Sequence, residues 1–382
     1  MYLISVTKKK NELIDMDAHE RIIKTLEHEE PDRVPTLAQV FEYPFTKKVA
    51  SHMGIDDKSK KPLSKNFMYD AALHMGFDSI WFHLDRIRTH SHQKPEVPDE
   101  ILQKYNIKSY NEWAQYYDGE WYRDGILKTP ELLKEWIAYI NTWEPAGDIH
   151  FKSFKKIWEK YLQKGLVTIP TGSSVAFGTW AMIGINRFSY MVRKHLNLVK
   201  QLAKALGRIT KELQNCFFEK GIDLAFICDD WALKGGTIYN PKHWNEIVTP
   251  VYKELTKNAH KNGAKLLIHS DGDVSETIPY LIDSGIDGID PLEYESGMRL
   301  KTLKKEFGAE ICLIGNISAT YILTYGSKEE TVEATKKGLQ DAAIGGGFIL
   351  GAGSDILGTC KYENVTAMID TVKKYGNYPI RS

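Results

Sequence analysis

Short apolar runs alternate with amphipathic stretches along most of the chain, and this alternation sets the expected fold. Runs at 34–40, 78–84, 166–172, 224–230, 265–269, 286–293, 311–318 and 347–355 have the apolar character of strands buried on both faces of a parallel sheet. Between them lie segments with apolar positions at helical spacing, among them AHERIIKTLEHEE, NFMYDAALHMG, FKSFKKIWEKYLQKG, SETIPYLIDSG and KEETVEATKKGLQDAA. HWNEIVTPVYKELTKNAHKNG reads as one helix kinked near Pro250. Eight strand–helix units predict an α/β architecture, a single (β/α)8 TIM barrel spanning residues 1–382. The rhythm breaks at 86–148, rich in Trp, Tyr, Pro and Gly, where NEWAQYYDGEWYRDG reads as a hairpin. This stretch is an insertion after the second strand, placed where a lid would sit.

Composition narrows the function classes. Lys+Arg and Asp+Glu both number 50, so the basic excess expected of a nucleic-acid binder is missing. The apolar runs are too short to span a bilayer, and the N-terminal lysines follow the apolar residues rather than precede them as in a secretory leader. A cytoplasmic protein with no membrane or nucleic-acid partner is expected. Cys216, Cys228, Cys312 and Cys360 are far apart without a CxxC, the pattern of reduced thiols. GxGxxG after a strand, GxxxxGK[ST], GxSxG and DxHxxG are all missing, which removes support for dinucleotide, P-loop, serine-elbow and corrinoid-carrying chemistry.

In a parallel barrel the C-terminal strand ends converge on one mouth. KLLIHSDG stops on His269 and Asp271, two apart and therefore pointing to the same side of an extended chain. The other strand ends bring Phe41, Glu42 and Tyr43; His83 and Asp85; Trp180; Asp229, Asp230 and Trp231; Glu293; Asn316; Ser354 and Asp355. Adjacent strand residues face opposite ways, so of the two aspartates Asp230 is assigned to the lumen and Asp229 to capping the next loop. His, Asp and Glu together suit a divalent metal, Zn2+ above all. Any single carboxylate here is better explained by bonds to loop amides, and Phe41, Trp180 and Trp231 equally well by packing; for His269 with Asp271 chemistry is the stronger reading. Apart from Arg86 the set holds no Lys or Arg, which argues against a phosphorylated or heavily carboxylated substrate.

AHERIIKTLEHEEPDRVP, DDWALKGGTIYNPKHWNEIVTPVYKEL, LIHSDGDVSETIPYLIDSGIDGIDPLE, IGNIS and GGGFILGAGSDI followed by ENVTAMIDTVKKYG together resemble the uroporphyrinogen decarboxylase superfamily, from about His19 to the C-terminus. The resemblance implies a (β/α)8 barrel and one of two activities, porphyrinogen decarboxylation or methyl transfer serving corrinoid proteins. Where the decarboxylases carry arginine after strand one, this chain has AQVFEYPF; their pocket tyrosine matches Trp180 and their GHG histidine matches Ser354. Asp85 matches their aspartate after strand two, and 229–232 is similar to their DSWA. The coenzyme M methyltransferases hold zinc with His-x-Cys after strand five and Cys after strand eight. His269 matches that histidine, while Asp271 and Ser354 stand in place of the cysteines.

The resemblance therefore implies the methyltransferase component of a corrinoid-dependent O-demethylase-like system. Asp230, His269, Asp271 and Asp85 are its catalytic candidates, and His269, Asp271, Glu293 and Asp355 the candidate ligands of Zn2+. Phe41, Tyr43, His83, Trp180, Trp231, Asn316 and Ser354 would line a site for a small methylated substrate, an aromatic methyl ether being favoured by the aromatic rim. The methyl group would pass to a Co(I) corrinoid, giving methylcobalamin on a partner corrinoid protein, and a homodimer is a candidate assembly. The alternatives are a decarboxylase working through Asp85 and a barrel that binds a small ligand without turnover.

Overall fold

The computed structural model describes residues 16–55, 63, 66–83, 97–108, 114–118, 121–144, 149–172 and 174–380. Among them, eight parallel strands close into a barrel: β1 (Thr36–Ala38), β2 (Ser79–His83), β3 (Val167–Thr171), β4 (Leu224–Cys228), β5 (Lys265–His269), β6 (Gly288–Asp290), β7 (Cys312–Ile317) and β8 (Phe348–Ala352). Each pairs with its neighbour in sequence, and β8 returns to β1 with Leu350 opposite Thr36.

Alternation along the strands decides which side chains reach the lumen. Leu37, Trp81, Val167, Ile169, Leu224, Phe226, Leu267, Cys312, Ile314 and Ile349 form one buried apolar cluster, sealed by Ile22 and Leu26 of the helix Ala18–Leu26. The same phase carried upward places Cys228, His269 and Asp290 on the lumenal side at the C-terminal ends. A second, larger core lies between the strands and the surrounding helices.

The barrel and the hairpin expected from sequence are both present. Several elements are shorter than read, and each has a local cause. Pro291 has no N–H to donate, so the sixth strand stops at Asp290 rather than running to 293. The segment around Pro250 is two helices, Pro241–Ile247 and Thr249–Lys261, rather than one kinked helix; the proline occupies the first turn of the second, where its missing N–H is not needed. The helical region after β3 divides at Gly184 into Ala176–Ile183 and Ile185–Phe218. Strands β4 and β8 end at Cys228 and Ala352, which leaves Asp229, Asp230 and Asp355 in the loops beyond them.

Between β2 and β3 the described residues include the helix Asp99–Lys104, an antiparallel hairpin of Gln115–Asp118 with Trp121–Gly125, and the helix Pro130–Ile140. The hairpin is pinned to the helices that follow β3. Arg187 Nη2 donates to Asp124 Oδ1 (2.6 Å) and to the Gly125 carbonyl (2.9 Å), and the Tyr122 hydroxyl donates to the Ala181 carbonyl (3.0 Å). A Cβ at Gly125 would lie 2.1 Å from the Met182 carbonyl oxygen, so this approach requires glycine. No helix among the described residues is long and apolar enough to cross a membrane.

Candidate active site

The loops after β4, β5 and β6 are stitched into one surface. The ladder runs past the strand ends, with Asp229 N donating to His269 O and Ser270 N to Asp290 O, both at 3.0 Å. Beyond it the Asp271 amide donates to Asp230 Oδ1 (3.1 Å) and the Gly272 amide to Glu293 Oε2 (2.7 Å). Gly272 has φ +89, and a Cβ there would lie 2.7 Å from the Ala232 carbonyl carbon, so the loop crosses the short hairpin of Ala232–Leu233 with Gly236–Thr237 at backbone contact distance.

This stitching brings three side chains together. Among the described residues, Asp230, His269 and Asp271 place ligand atoms within 4.8 Å of one another. His269 is buried, and its Nε2 lies 3.5 Å from Asp230 Oδ1 and 3.7 Å from Asp271 Oδ1, while its Nδ1 is 3.1 Å from Asp290 Oδ2. The edge of the Trp81 ring system meets His269 at 4.8 Å and 88°. Asp271 Oδ1 is buried without a hydrogen-bond partner among the described residues, although the Asp271 side chain as a whole is half exposed.

Burial works against a charge on His269, but the hydrogen bond to Asp290 and the charges of Asp271 and Asp230 outweigh it and raise its pKa to about 10. Burial pushes the Asp271 carboxyl up to about 7; His269 opposes this, and Asp230, Glu293 and Asp290 add to it. Burial likewise raises Asp290, against the hydrogen bonds from His269 and Gln39. Asp355 is pushed up to about 6 by burial and by Glu42 and Asp290, against the pull of His269. At neutral pH the centre holds an imidazolium beside an Asp271 carboxyl that is about half protonated.

These residues fit a divalent cation. The orphaned Asp271 oxygen and the Nε2–carboxylate separations, longer than hydrogen bonds, leave donors facing one another across a gap. Two carboxylates and an imidazole are a hard-to-borderline donor set. The cation would be held by Asp230, His269 and Asp271, and would act as a Lewis acid there. Binding must displace protons, because a ligating histidine needs a free Nε2 lone pair. At pH 6 both His269 and Asp271 carry protons, so uptake of Zn2+ releases about two; at pH 8.5 only His269 does, and release falls to about one. Affinity therefore rises with pH, and calorimetry in buffers of different ionisation enthalpy reads the count. A proton release independent of pH over this range contradicts the assignment.

Asp229 is fully buried and caps the helix after β3: its carboxylate accepts N–H bonds from Val175 and Ala176 (2.8 Å each) and Phe177, and the Tyr252 hydroxyl at 2.6 Å. An Asp229→Asn variant turns an amide NH2 toward these donors and loses about 2–3 kcal/mol of stability, read from the urea midpoint. Trp180 is buried and donates Nε1 to the Asp230 carbonyl at 2.7 Å, holding that loop from behind.

Trp231 does not line the mouth. It is fully buried, with Nε1 on Thr277 Oγ1 (3.0 Å) and its ring on Trp244, because the residue after Asp230 turns behind the strand. Phe41 is also core: β1 ends three residues earlier, and the ring tucks edge-on between Phe45 and Phe77. Tyr43 is exposed at the first position of the helix Tyr43–His52. Glu293 stands outside the cluster; its Oε2 accepts from the Gly272 amide and from Ser296 Oγ (2.8 Å). Asp355 stands outside the three-residue grouping but within its field. The Asn316 amide is committed to the Met298 carbonyl (2.7 Å), and Ser354 is half-buried with Oγ on the Asp355 carbonyl (3.3 Å). His83 is the last residue of β2, and Asp85 lies outside the described residues.

Two residues at this centre escape sequence reading, Asp290 and its partner Gln39, whose Nε2 donates to Asp290 Oδ2 at 2.9 Å. The available signal was Pro291, which ends the strand on Asp290.

Residues 171–375, more than half of the chain, match the protein family described as Uroporphyrinogen decarboxylase (URO-D). Among solved structures, a methyltransferase from Methanosarcina mazei superposes with a TM-score of 0.63 at 16% identity, covering 94% of this chain and 99% of that one. A B12-independent methionine synthase from Shewanella sp. W3-18-1, in complex with selenomethionine, gives a TM-score of 0.49 at 12% identity over 89% of this chain and 96% of its own. No curated protein matches the chain. At 16% identity the likeness to the Methanosarcina mazei methyltransferase speaks for the barrel fold.

Proposed function

The chain belongs to the uroporphyrinogen decarboxylase family, and from that premise we propose that it is a methyltransferase, moving a methyl group from a small methylated substrate, an aromatic methyl ether, to the Co(I) corrinoid of a partner protein. The observation that carries this reading is the Asp230–His269–Asp271 centre at the barrel mouth, a cationic histidine and an orphaned carboxylate oxygen on which, among the described residues, no arginine charge acts.

Breaking a methyl–oxygen bond leaves an electron pair on oxygen, and the residues here suit that demand. His269 Nε2 carries a proton at neutral pH and donates toward the leaving oxygen as negative charge develops. Asp271, with its pKa near 7, is the group beside it that can give up a proton at the same pH. Asp230 is held by the Asp271 amide and balances the imidazolium. A divalent cation bound at the three residues would take the place of the Nε2 proton and polarise the same oxygen. The main task left to the barrel is placing the methyl group in line with its acceptor.

A protein partner is supported by the rim. Tyr43, Leu233, Tyr294, Tyr321 and Tyr325 are exposed, and all lie in segments that follow β1, β4, β6 and β7 at the C-terminal side. In this reading the methylated donor enters from the same side, and the inserted hairpin between β2 and β3 is the candidate lid over it.

Purified protein mixed anaerobically with Co(I) cobalamin and a panel of methoxyaromatics should lose Co(I) absorbance only when a suitable donor is present. Turnover of uroporphyrinogen with no donor response would instead favour decarboxylation.

A further inference from the structure

We propose that Asp290 is a positioning residue for this centre, fixing the His269 ring so that Nε2 and not Nδ1 faces Asp230 and Asp271; the inference rests on reading that cluster as the reacting site.

Asp290 ends β6 directly beside His269 in the β5–β6 register, and it is almost fully buried. Its Oδ2 receives two donors, His269 Nδ1 at 3.1 Å and Gln39 Nε2 at 2.9 Å. Gln39 follows β1, whose neighbours in the barrel are β2 and β8, so the Gln39–Asp290 bond crosses the lumen rather than joining adjacent strands. The carboxylate is thereby gripped from the opposite wall. Trp81 of β2 meets the ring edge-on and closes a second side.

The chemistry of the donors fixes the ring assignment. Asp290 Oδ2 already accepts the Gln39 amide N–H, so that oxygen serves as an acceptor and His269 Nδ1 supplies the proton of the second bond. A ring flip would give up that bond in a buried place, where a lost charge-assisted hydrogen bond is costly. Nε2 is therefore the nitrogen presented to the mouth. Asp290 Oδ1 has no partner among the described residues, and no second donor there competes for the carboxylate's orientation. A carboxylate behind a histidine in this way raises the basicity of the far nitrogen toward a proton or a cation.

Asp290→Ala, Asp290→Asn and Gln39→Leu variants of the full chain test this. The first readout is 15N-histidine NMR without added metal. In the wild type the His269 Nδ1 proton is hydrogen-bonded and slow to exchange. Asparagine, whose oxygen can accept the same two N–H groups, keeps that signal; alanine loses it. The second readout is Co2+ titration followed by visible absorption, in which the alanine variant binds about 10- to 100-fold more weakly than wild type, with asparagine between them. Gln39→Leu, which leaves Asp290 in place, moves both readouts the same way by less and serves if alanine at 290 does not fold. A purely structural role would lower thermal stability without moving the Nδ1 proton. An alanine variant, or failing that Gln39→Leu, with wild-type Nδ1 signal and Co2+ affinity overturns the proposal. Failure of the wild type to bind Co2+ refutes the cation reading of the cluster, and the Nδ1 proton then decides the role of Asp290 alone.

Discussion

Methyl transfer falls by about 100- to 10,000-fold in a His269→Ala variant, mostly in kcat. The size follows from the position of the ring. His269 is the cationic group among Asp230, Asp271 and Asp290, buried at the end of β5, and the group best placed to meet developing charge on a leaving oxygen. Alanine removes both the donor and a ligand for a divalent cation. It also leaves Asp290 buried beside an empty volume, so stability drops as well. His269→Gln separates the two effects: its amide still donates one hydrogen bond and fills most of the space, but it cannot carry the proton or the charge. Glutamine should recover stability and not turnover, measured by denaturant midpoint and by donor-dependent loss of Co(I) absorbance. Glutamine turnover within a few-fold of wild type would remove His269 from the chemistry.

The largest loss of stability is expected at the other end of the barrel. Asp78, immediately before β2, is nearly fully buried and accepts from Arg21 Nη1 (2.7 Å), from Arg33 Nη1 and Nη2 (2.8 and 2.7 Å), and from the backbone N and the Oγ1 of Thr36 (2.9 Å each). Arg21 is also paired with Asp32 at 2.6 Å. Asp78→Ala leaves two guanidinium groups facing a vacated, water-poor space and costs about 3–5 kcal/mol. Because this network ties the entry of β1 and β2 to the helix Ala18–Leu26 at the N-terminal face, remote from the strand ends, kcat of the folded fraction is unchanged. Chemical denaturation reads the first part and methyl transfer under native conditions the second. A variant as stable as wild type would show that Arg21 and Arg33 find water or other partners.

These two ends of the barrel differ in how far the sequence discloses them. The barrel itself is legible because strands buried on both faces must be apolar throughout, and the helices between them must be apolar on one side only. His269 and Asp271 are legible for the same reason, as polar residues that abruptly end an apolar run. What periodicity cannot resolve is where the ladder stops. The run 286–293 stays apolar past the strand because Leu292 is buried in the loop. Glu293 therefore looks like the strand end, while Pro291 sets the true end at Asp290. Trp231 shows a second limit. Alternation distinguishes Asp229 from Asp230 while the chain is extended, but β4 has already ended at Cys228, and the turn that follows sends the indole into the core. Gln39 was invisible for a third reason: its partner lies 251 residues away across the lumen, a pairing that only closure of the barrel creates.

The central claim is that this centre separates a methyl group from the oxygen that carries it. A single turnover with a methoxyaromatic labelled with 13C in the methyl group and 18O in the ether oxygen tests this directly, using excess Co(I) cobalamin under anaerobic conditions. The account predicts that the 13C appears on the cobalamin and that the phenol released in equal amount keeps all of its 18O. Label that remains on the donor, or a phenol whose oxygen has exchanged with water, would contradict it.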